Sequence, residues 1–213
     1  MITEYEDEPV PGLPGHLPPD ETLLWQGSPD RRMLARTAFH TRAVAGYFAL
    51  LAGVALVNAL VSGGGLFGVG ATLVVGSLGV GLLELLAWAS ARSTIYTLTE
   101  RRIVMRFGIA LPTCINLPLS LVGSVDLSEH GGGTGDLPLS LTGKQRLGYL
   151  GLWPHARPWR MSRPEPMLRA VPDAKSVAAL IARTCLAANP QGRIAIPAAT
   201  GNATPDFAGA VAA

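Results

Sequence analysis

Charge is scarce in this chain, and what there is avoids the middle. Of 213 residues, 15% are charged, against about 25% in an average soluble domain. Across residues 43–91 the single Asp, Glu, Lys, Arg or His is Glu84. A soluble fold of this size has no interior able to take 49 such residues in a row, whereas a bilayer does. Cysteine is almost absent. Cys114 and Cys185 are far apart, which excludes a disulfide framework and metal-site spacing and predicts two reduced, semi-buried thiols. Lysine occurs twice against 15 arginines, a bias from which no mechanism follows. The net charge of +2 gives no electrostatic footprint for nucleic acid.

Signatures of catalysis are missing as well. There is no phosphate-binding loop, dinucleotide fingerprint, HExxH or CxxC. Gly131, Gly132 and Gly133 lack the lysine and following helix of a phosphate loop and read as a hairpin tip. Serine, histidine and aspartate are present, but no spacing gathers them. The expectation is a protein without catalytic residues, cofactor or metal. The apolar run also lacks histidine, the usual axial ligand of a porphyrin-type metal, leaving only Asn58 or a backbone carbonyl. His16, His40, His130 and His155 lie elsewhere and do not cluster in sequence. The acidic start (Glu4, Glu6, Asp7, Glu8) and the late first apolar run are unlike a secretory signal.

What is present divides the chain into four parts: residues 1–42, 43–91, 92–188 and 189–213. Pro9, Pro11, Pro14, Pro18 and Pro19 make residues 1–22 an irregular leader. A short strand over 22–26 and a turn at 27–30 follow. Next comes a basic cluster of Arg31, Arg32, Arg36, His40 and Arg42. Residues 43–61 give a first span of roughly 28 Å, close to a bilayer's hydrocarbon thickness. Ser62 and three glycines break the pattern, and residues 66–89 form a second span, long enough to tilt. In lipid, backbone groups pair within their own segment, so both are expected as helices. Arginines flank the pair (31, 32, 36 and 42 before; 92, 101, 102 and 106 after), and the connecting loop carries no charge. The positive-inside rule then puts both termini in the cytoplasm. After Arg92, short β-prone runs at 94–98, 102–107, 109–117, 121–127, 137–141, 147–153 and 166–171 predict a small sandwich or barrel. Asp173 is a suitable N-cap for a helix over 174–188, with apolar residues at 177, 180, 181 and 185 on one face. The tail from Asn189, rich in Ala, Pro and Gly, is expected to be disordered.

Three features are candidates for function. Glu84, about 7 Å from the cytoplasmic end of its helix, shares a face with Gly70, Ser77 and Gly81. It reads either as a polar contact to a partner helix or as an acid that is protonated or reaches Arg42 or Arg92. Gly64, Gly68, Thr72 and Gly76 form a small-residue ladder. It serves packing between the two spans, against another protein's helix, or against a second copy of the chain. The stretch from Trp153 to Arg169 holds Trp153, His155, Arg157, Trp159, Arg160, Arg163 and Arg169 among prolines. It reads as a partner-binding surface, as a headgroup contact, or as the edge of the domain's core.

Two groups of residues carry a resemblance. Residues 21–29, ETLLWQGSP, before the apolar pair, with Tyr96-Thr97-Leu98-Thr99 and Arg102 after it, resemble bacterial PH-like membrane proteins. The resemblance implies a two-helix membrane hairpin joined to a pleckstrin-homology-like β-domain that ends in a helix. Residues 9–14, PVPGLP, the stretch 153–159, WPHARPW, and 166–169, PMLR, resemble the PuhB family of photosynthetic complex assembly proteins of purple phototrophic bacteria. That likeness covers roughly residues 5–188. It implies a non-enzymatic assembly factor, or chaperone, for the photosynthetic reaction centre, with a secondary effect on the core light-harvesting antenna. The implied setting is the bacterial inner, intracytoplasmic photosynthetic membrane. Reaction-centre subunits, and core antenna polypeptides beside them, are the implied partners. The family supplies no catalytic residues to carry over. The competing reading is a general PH-like lipid-binding adaptor.

Overall fold

The computed structural model describes residues 12–13, 15–142 and 148–188. Pro9, Pro11, Pro14, Leu147 and the tail from residue 189 lie outside these residues. The described leader holds no helix or strand, but it is packed: Leu13 is buried, and Gly12 rests against Ile95 so closely that a Cβ would collide.

Strand β1 (Leu23–Gly27) leads into helix α1 (Arg31–Thr37), where the sequence reading had only a turn and a basic cluster. The Asp30 carboxylate accepts the Met33 N–H at 2.7 Å, a side-chain N-cap. Leu34 and Ala35 are buried against Ala87 and Ala91, while Arg31, Arg32 and Arg36 stay outside. The arginines hid a helix because its apolar face is only two or three residues wide.

Helices α2 (Thr41–Ser62) and α3 (Phe67–Ser93) form the expected hairpin. Both are long and apolar enough to cross a membrane. Their side chains face mostly outward (Leu60 is 73% exposed), the pattern of a helix whose solvent is lipid. At Gly76 the two helices touch; a Cβ there would lie 2.7 Å from the Phe48 Cβ.

The β-domain has two antiparallel sheets, ordered β1-β2-β3-β4 and β5-β7-β6, with β8 also pairing β7. The strands are β2 (Ile95–Thr99), β3 (Arg102–Phe107), β4 (Thr113–Pro118), β5 (Val122–Val125), β6 (Ser128–Glu129), β7 (Gly135–Leu141) and β8 (Met167–Val171). Helix α5 (Ala174–Ala188) packs Val177, Ile181 and Cys185 onto this core. Burial pushes the Cys185 thiol up to about 11. Cys114 is exposed on β4 rather than half-buried.

Three local expectations are corrected. The run 109–117 becomes a strand only from Thr113. Gly108 has φ of +121° and lies against the Leu111 carbonyl where a Cβ would clash, so residues 108–112 form a turn. The run 147–153 holds a one-turn helix, α4 (Tyr149–Leu152), with Leu152 inward and Leu150 outward. At α5 the backbone carbonyl of Asp173 accepts the Val177 N–H at 3.1 Å; its φ of +48° differs from the extended backbone usual for a side-chain cap.

The largest correction concerns domain boundaries. Strand β1 pairs along β2, from Leu23 opposite Thr99 to Gly27 opposite Tyr96. Part of residues 1–42 therefore belongs to the β-domain, and the apolar hairpin is an insertion between the first two strands of one sheet.

The helix contact gives a test. Gly76→Leu should lower hairpin stability by about 1–3 kcal/mol through overpacking. Gly68→Leu, where an added Cβ meets nothing, should stay within about 0.5 kcal/mol. Unfolding by SDS titration from detergent micelles reads both.

Candidate functional site

The junction between hairpin and β-domain is built around one buried histidine. His155 is fully buried under Tyr96 and Phe107, with ring centroids 5.7 Å and 4.8 Å away. Its Nδ1 lies 2.9 Å from the Tyr96 hydroxyl and its Nε2 lies 3.2 Å from the Thr94 hydroxyl. Thr94 donates to the Ser90 carbonyl at 2.7 Å, and Tyr96 Oη accepts the Arg169 N–H at 3.0 Å. Each hydroxyl has one proton, so the directions follow. Thr94 spends its proton on Ser90 and accepts from Nε2–H; Tyr96 donates to Nδ1. A neutral imidazole protonated at Nε2 satisfies every atom. The relay runs from Ser90 near the end of α3, through His155, to Arg169 on β8.

The electrostatics agree. Burial, helped by the Arg169 cation, lowers His155 to about 3, and burial raises Tyr96 far above the usual phenol range. Burial also lowers Arg169, opposed by Asp136. Its Nε has no hydrogen-bond partner among the described residues.

The seven residues of the Trp/Arg stretch therefore do not form one surface. His155 and Arg169 are core. Arg157 is held by Asp126 at 2.8 Å and Glu165 at 2.9 Å; burial opposes its charge, but those hydrogen bonds outweigh it and raise its pKa. Trp153 is 52% exposed and sits edge-on to Phe39 at 5.6 Å, beside the start of α2. Trp159 (95% exposed), Arg160 and Arg163 face outward, with Arg160 3.5 Å from Glu165.

The small-residue ladder also divides. Gly76 lies inside the hairpin, Gly64 and Gly68 are exposed, and the Thr72 hydroxyl donates to the Gly68 carbonyl at 2.8 Å. Glu84 is half-buried, and Gly70, Ser77 and Gly81 on its face are exposed. A Cβ at Gly70 or Gly81 would meet nothing in the chain, so this face is open.

A second clamp was not anticipated. Glu21 is buried, bonded by Arg102 through Nε and Nη2 at 2.7 Å each and by Thr99 at 2.6 Å. Burial pushes its carboxyl up, but the Arg102 and Thr99 hydrogen bonds outweigh that and hold it below the usual range. Tyr96, Arg102 and Glu21 stand in the motifs that carried the resemblance. Their roles were hidden because their partners are 59 to 81 positions away.

A histidine whose folded pKa lies below its unfolded value contributes full stability above about pH 6.5, lost as pH falls toward the folded value. Stability should fall by about 2 kcal/mol from pH 7 to pH 5 through His155. His155→Gln should be less stable at pH 7 and should lack that increment. Denaturant unfolding in detergent at both pH values measures it.

Comparison with known proteins agrees with this architecture. The family model described as bacterial PH domain matches residues 46–184. A Rhodobacter capsulatus protein, described as an uncharacterized 23.7 kDa protein in the puhA 5′ region, is 37% identical over 198 residues, covering 86% of this chain and 88% of that protein. No solved structure matches. With a membrane-associated apolar hairpin set between the first two strands of a β-domain closed by a helix, the chain belongs to the bacterial PH domain family and is PuhB-like.

Proposed function

We propose that this chain is a non-enzymatic assembly factor for the photosynthetic reaction centre, with a secondary effect on the core antenna. The observation that carries the reading is the extended identity to a protein of the puhA region, puhA being the gene of the reaction-centre H subunit.

The structure supplies a physical route. The hairpin crosses the bacterial inner membrane twice, and the β-domain lies on the cytoplasmic side with both termini. Support comes from the β1–β2 ladder: two paired strands that enter and leave the hairpin hold its ends at one surface. The flanking arginines favour the cytoplasm. Within the bilayer, Gly70, Ser77, Gly81 and Glu84 offer a narrow face unused by the chain's own packing. Small residues let a partner backbone approach, and an acid at the rim gives it a polar anchor. A nascent reaction-centre helix fits that face. Contacts of modest area suffice, because a factor that hands on its client binds transiently.

Deletion in a phototrophic host should reduce reaction-centre absorption in the near infrared several-fold, with a smaller loss of core antenna. Normal reaction-centre levels would overturn the proposal. Gly81→Leu, which meets nothing within the chain, should leave its accumulation unchanged. It should lower reaction-centre yield and recovery of reaction-centre subunits in mild-detergent pull-downs.

A further inference from the structure

We infer that the turn between β3 and β4 is a second membrane contact, with Ile109 and Leu111 lying in the headgroup region of an anionic bilayer beside the ends of the hairpin. The inference rests on the reading of the hairpin as membrane-spanning and adds a surface of the β-domain to it.

Topology fixes the position of the turn. Strand β2 begins at Ile95, two residues after α3 ends at Ser93. It is antiparallel to β3, with Ile95 opposite Arg106, so β3 runs back toward α3 and also touches it. Residues 108–112 therefore emerge at the membrane end of the sheet. The opposite turn, at Glu100 and Arg101, lies about five residues away along the ladder, roughly 17 Å.

The two turns differ in chemistry. The far one is charged. The near one reads Gly-Ile-Ala-Leu-Pro, with Ile109 53% and Leu111 82% exposed. The turn has a defined shape: Gly108 takes a positive φ and gives way to the Leu111 carbonyl. Large aliphatic side chains held outward on a fixed tip, at the end where an apolar hairpin departs, are continuous with a lipid-facing surface.

The surrounding charge selects the kind of lipid. Arg31, Arg32, Arg36, Arg42 and Arg92 are exposed at the same end, and no acid lies between Arg31 and Arg42. Such clusters favour anionic headgroups. Aromatic side chains mark the same level: Arg92 lies over the Trp88 ring at 5.9 Å, and Trp153 packs on Phe39, as in an interfacial belt.

The test uses the full chain with Cys114→Ser, carrying a nitroxide on Leu111→Cys, in vesicles of phosphatidylethanolamine and phosphatidylglycerol. Control labels go on Glu100→Cys and on Val57→Cys, an exposed position of α2. Electron paramagnetic resonance compares collisions with oxygen, which concentrates in lipid, and with a water-soluble nickel chelate. The expected oxygen-to-nickel ratio at Leu111 is several-fold above that at Glu100 and below that at Val57, and it falls in vesicles of phosphatidylcholine alone. If Leu111 matches Glu100 while Val57 reads as lipid, the inference is overturned and the tip belongs to water or a protein partner. If Val57 also reads as aqueous, the spanning hairpin fails and this contact fails with it.

Discussion

Strand β1 pairs with β2 across the whole apolar hairpin, and this long-range ladder organises the rest of the molecule. Because Gly27 faces Tyr96, the chain leaves the sheet and returns to it at neighbouring points, so everything between is a closed excursion. Closing a long loop costs little more than closing a short one, since the entropic cost grows only with the logarithm of its length. The excursion is also stiff, because α2 and α3 pair with each other and need no ordering by the sheet. Helix α1 then fills the angle where the excursion begins. Leu34 and Ala35 meet Ala87 and Ala91 on one side and Ala170 on the other. The Asp30 N–H donates to the Ala170 carbonyl at 2.7 Å, with Ala170 held at a φ of +50°. A non-glycine residue in that region costs of order 1 kcal/mol, and packing at the seam offsets it.

The same junction is fastened by polar groups that the apolar core would otherwise reject. An unpaired buried donor or acceptor costs about 1–3 kcal/mol, whereas a satisfied one contributes about 1 kcal/mol. The line through Ser90, Thr94, His155, Tyr96 and the Arg169 backbone N–H meets this condition at both hydroxyls and both ring nitrogens. It joins the last turn of α3, the first residues of β2, the stretch after α4, and β8. Glu21 does comparable work at the other end of β2, where Arg102 and Thr99 bind it to the leader. Strand β2 is thus pinned at both ends, and no flexible linker separates it from the apolar helix before it. A domain tied this way transmits the position of α3 directly to its sheets.

Much of the architecture was legible because it rests on period and composition. The two apolar helices announced themselves by the absence of charge, and α5 by apolar residues at 177, 181 and 185. Strands β2 and β3 showed as β-branched runs. Helix α1 was hidden because two buried residues in seven leave a weak pattern and four nearby arginines dominate it. The pairing of β1 with β2 was hidden because nothing local records a partner beyond the membrane segment. The sequence left the Trp153 to Arg169 stretch open between a partner surface, a headgroup contact and a core edge, and its residues divide between core and solvent. Tryptophan, histidine and arginine look alike on the page whether they face solvent or a core. What separated them was distant: Tyr96 and Thr94 for His155, Asp126 and Glu165 for Arg157.

The insertion of the hairpin between paired strands has a consequence for biosynthesis. During translation, β1 and the leader emerge before the apolar helices, while β2, β3 and Arg102 emerge after them. Until both helices have been made and the chain has come back, β1 lacks its β2 neighbour and Glu21 lacks the Arg102 cation. Domains generally fold as units during synthesis, but this one cannot begin its first sheet as an ordinary N-terminal domain would. Its completion is sequenced behind synthesis of the hairpin, so a finished first sheet certifies that both apolar helices have already been made and folded back.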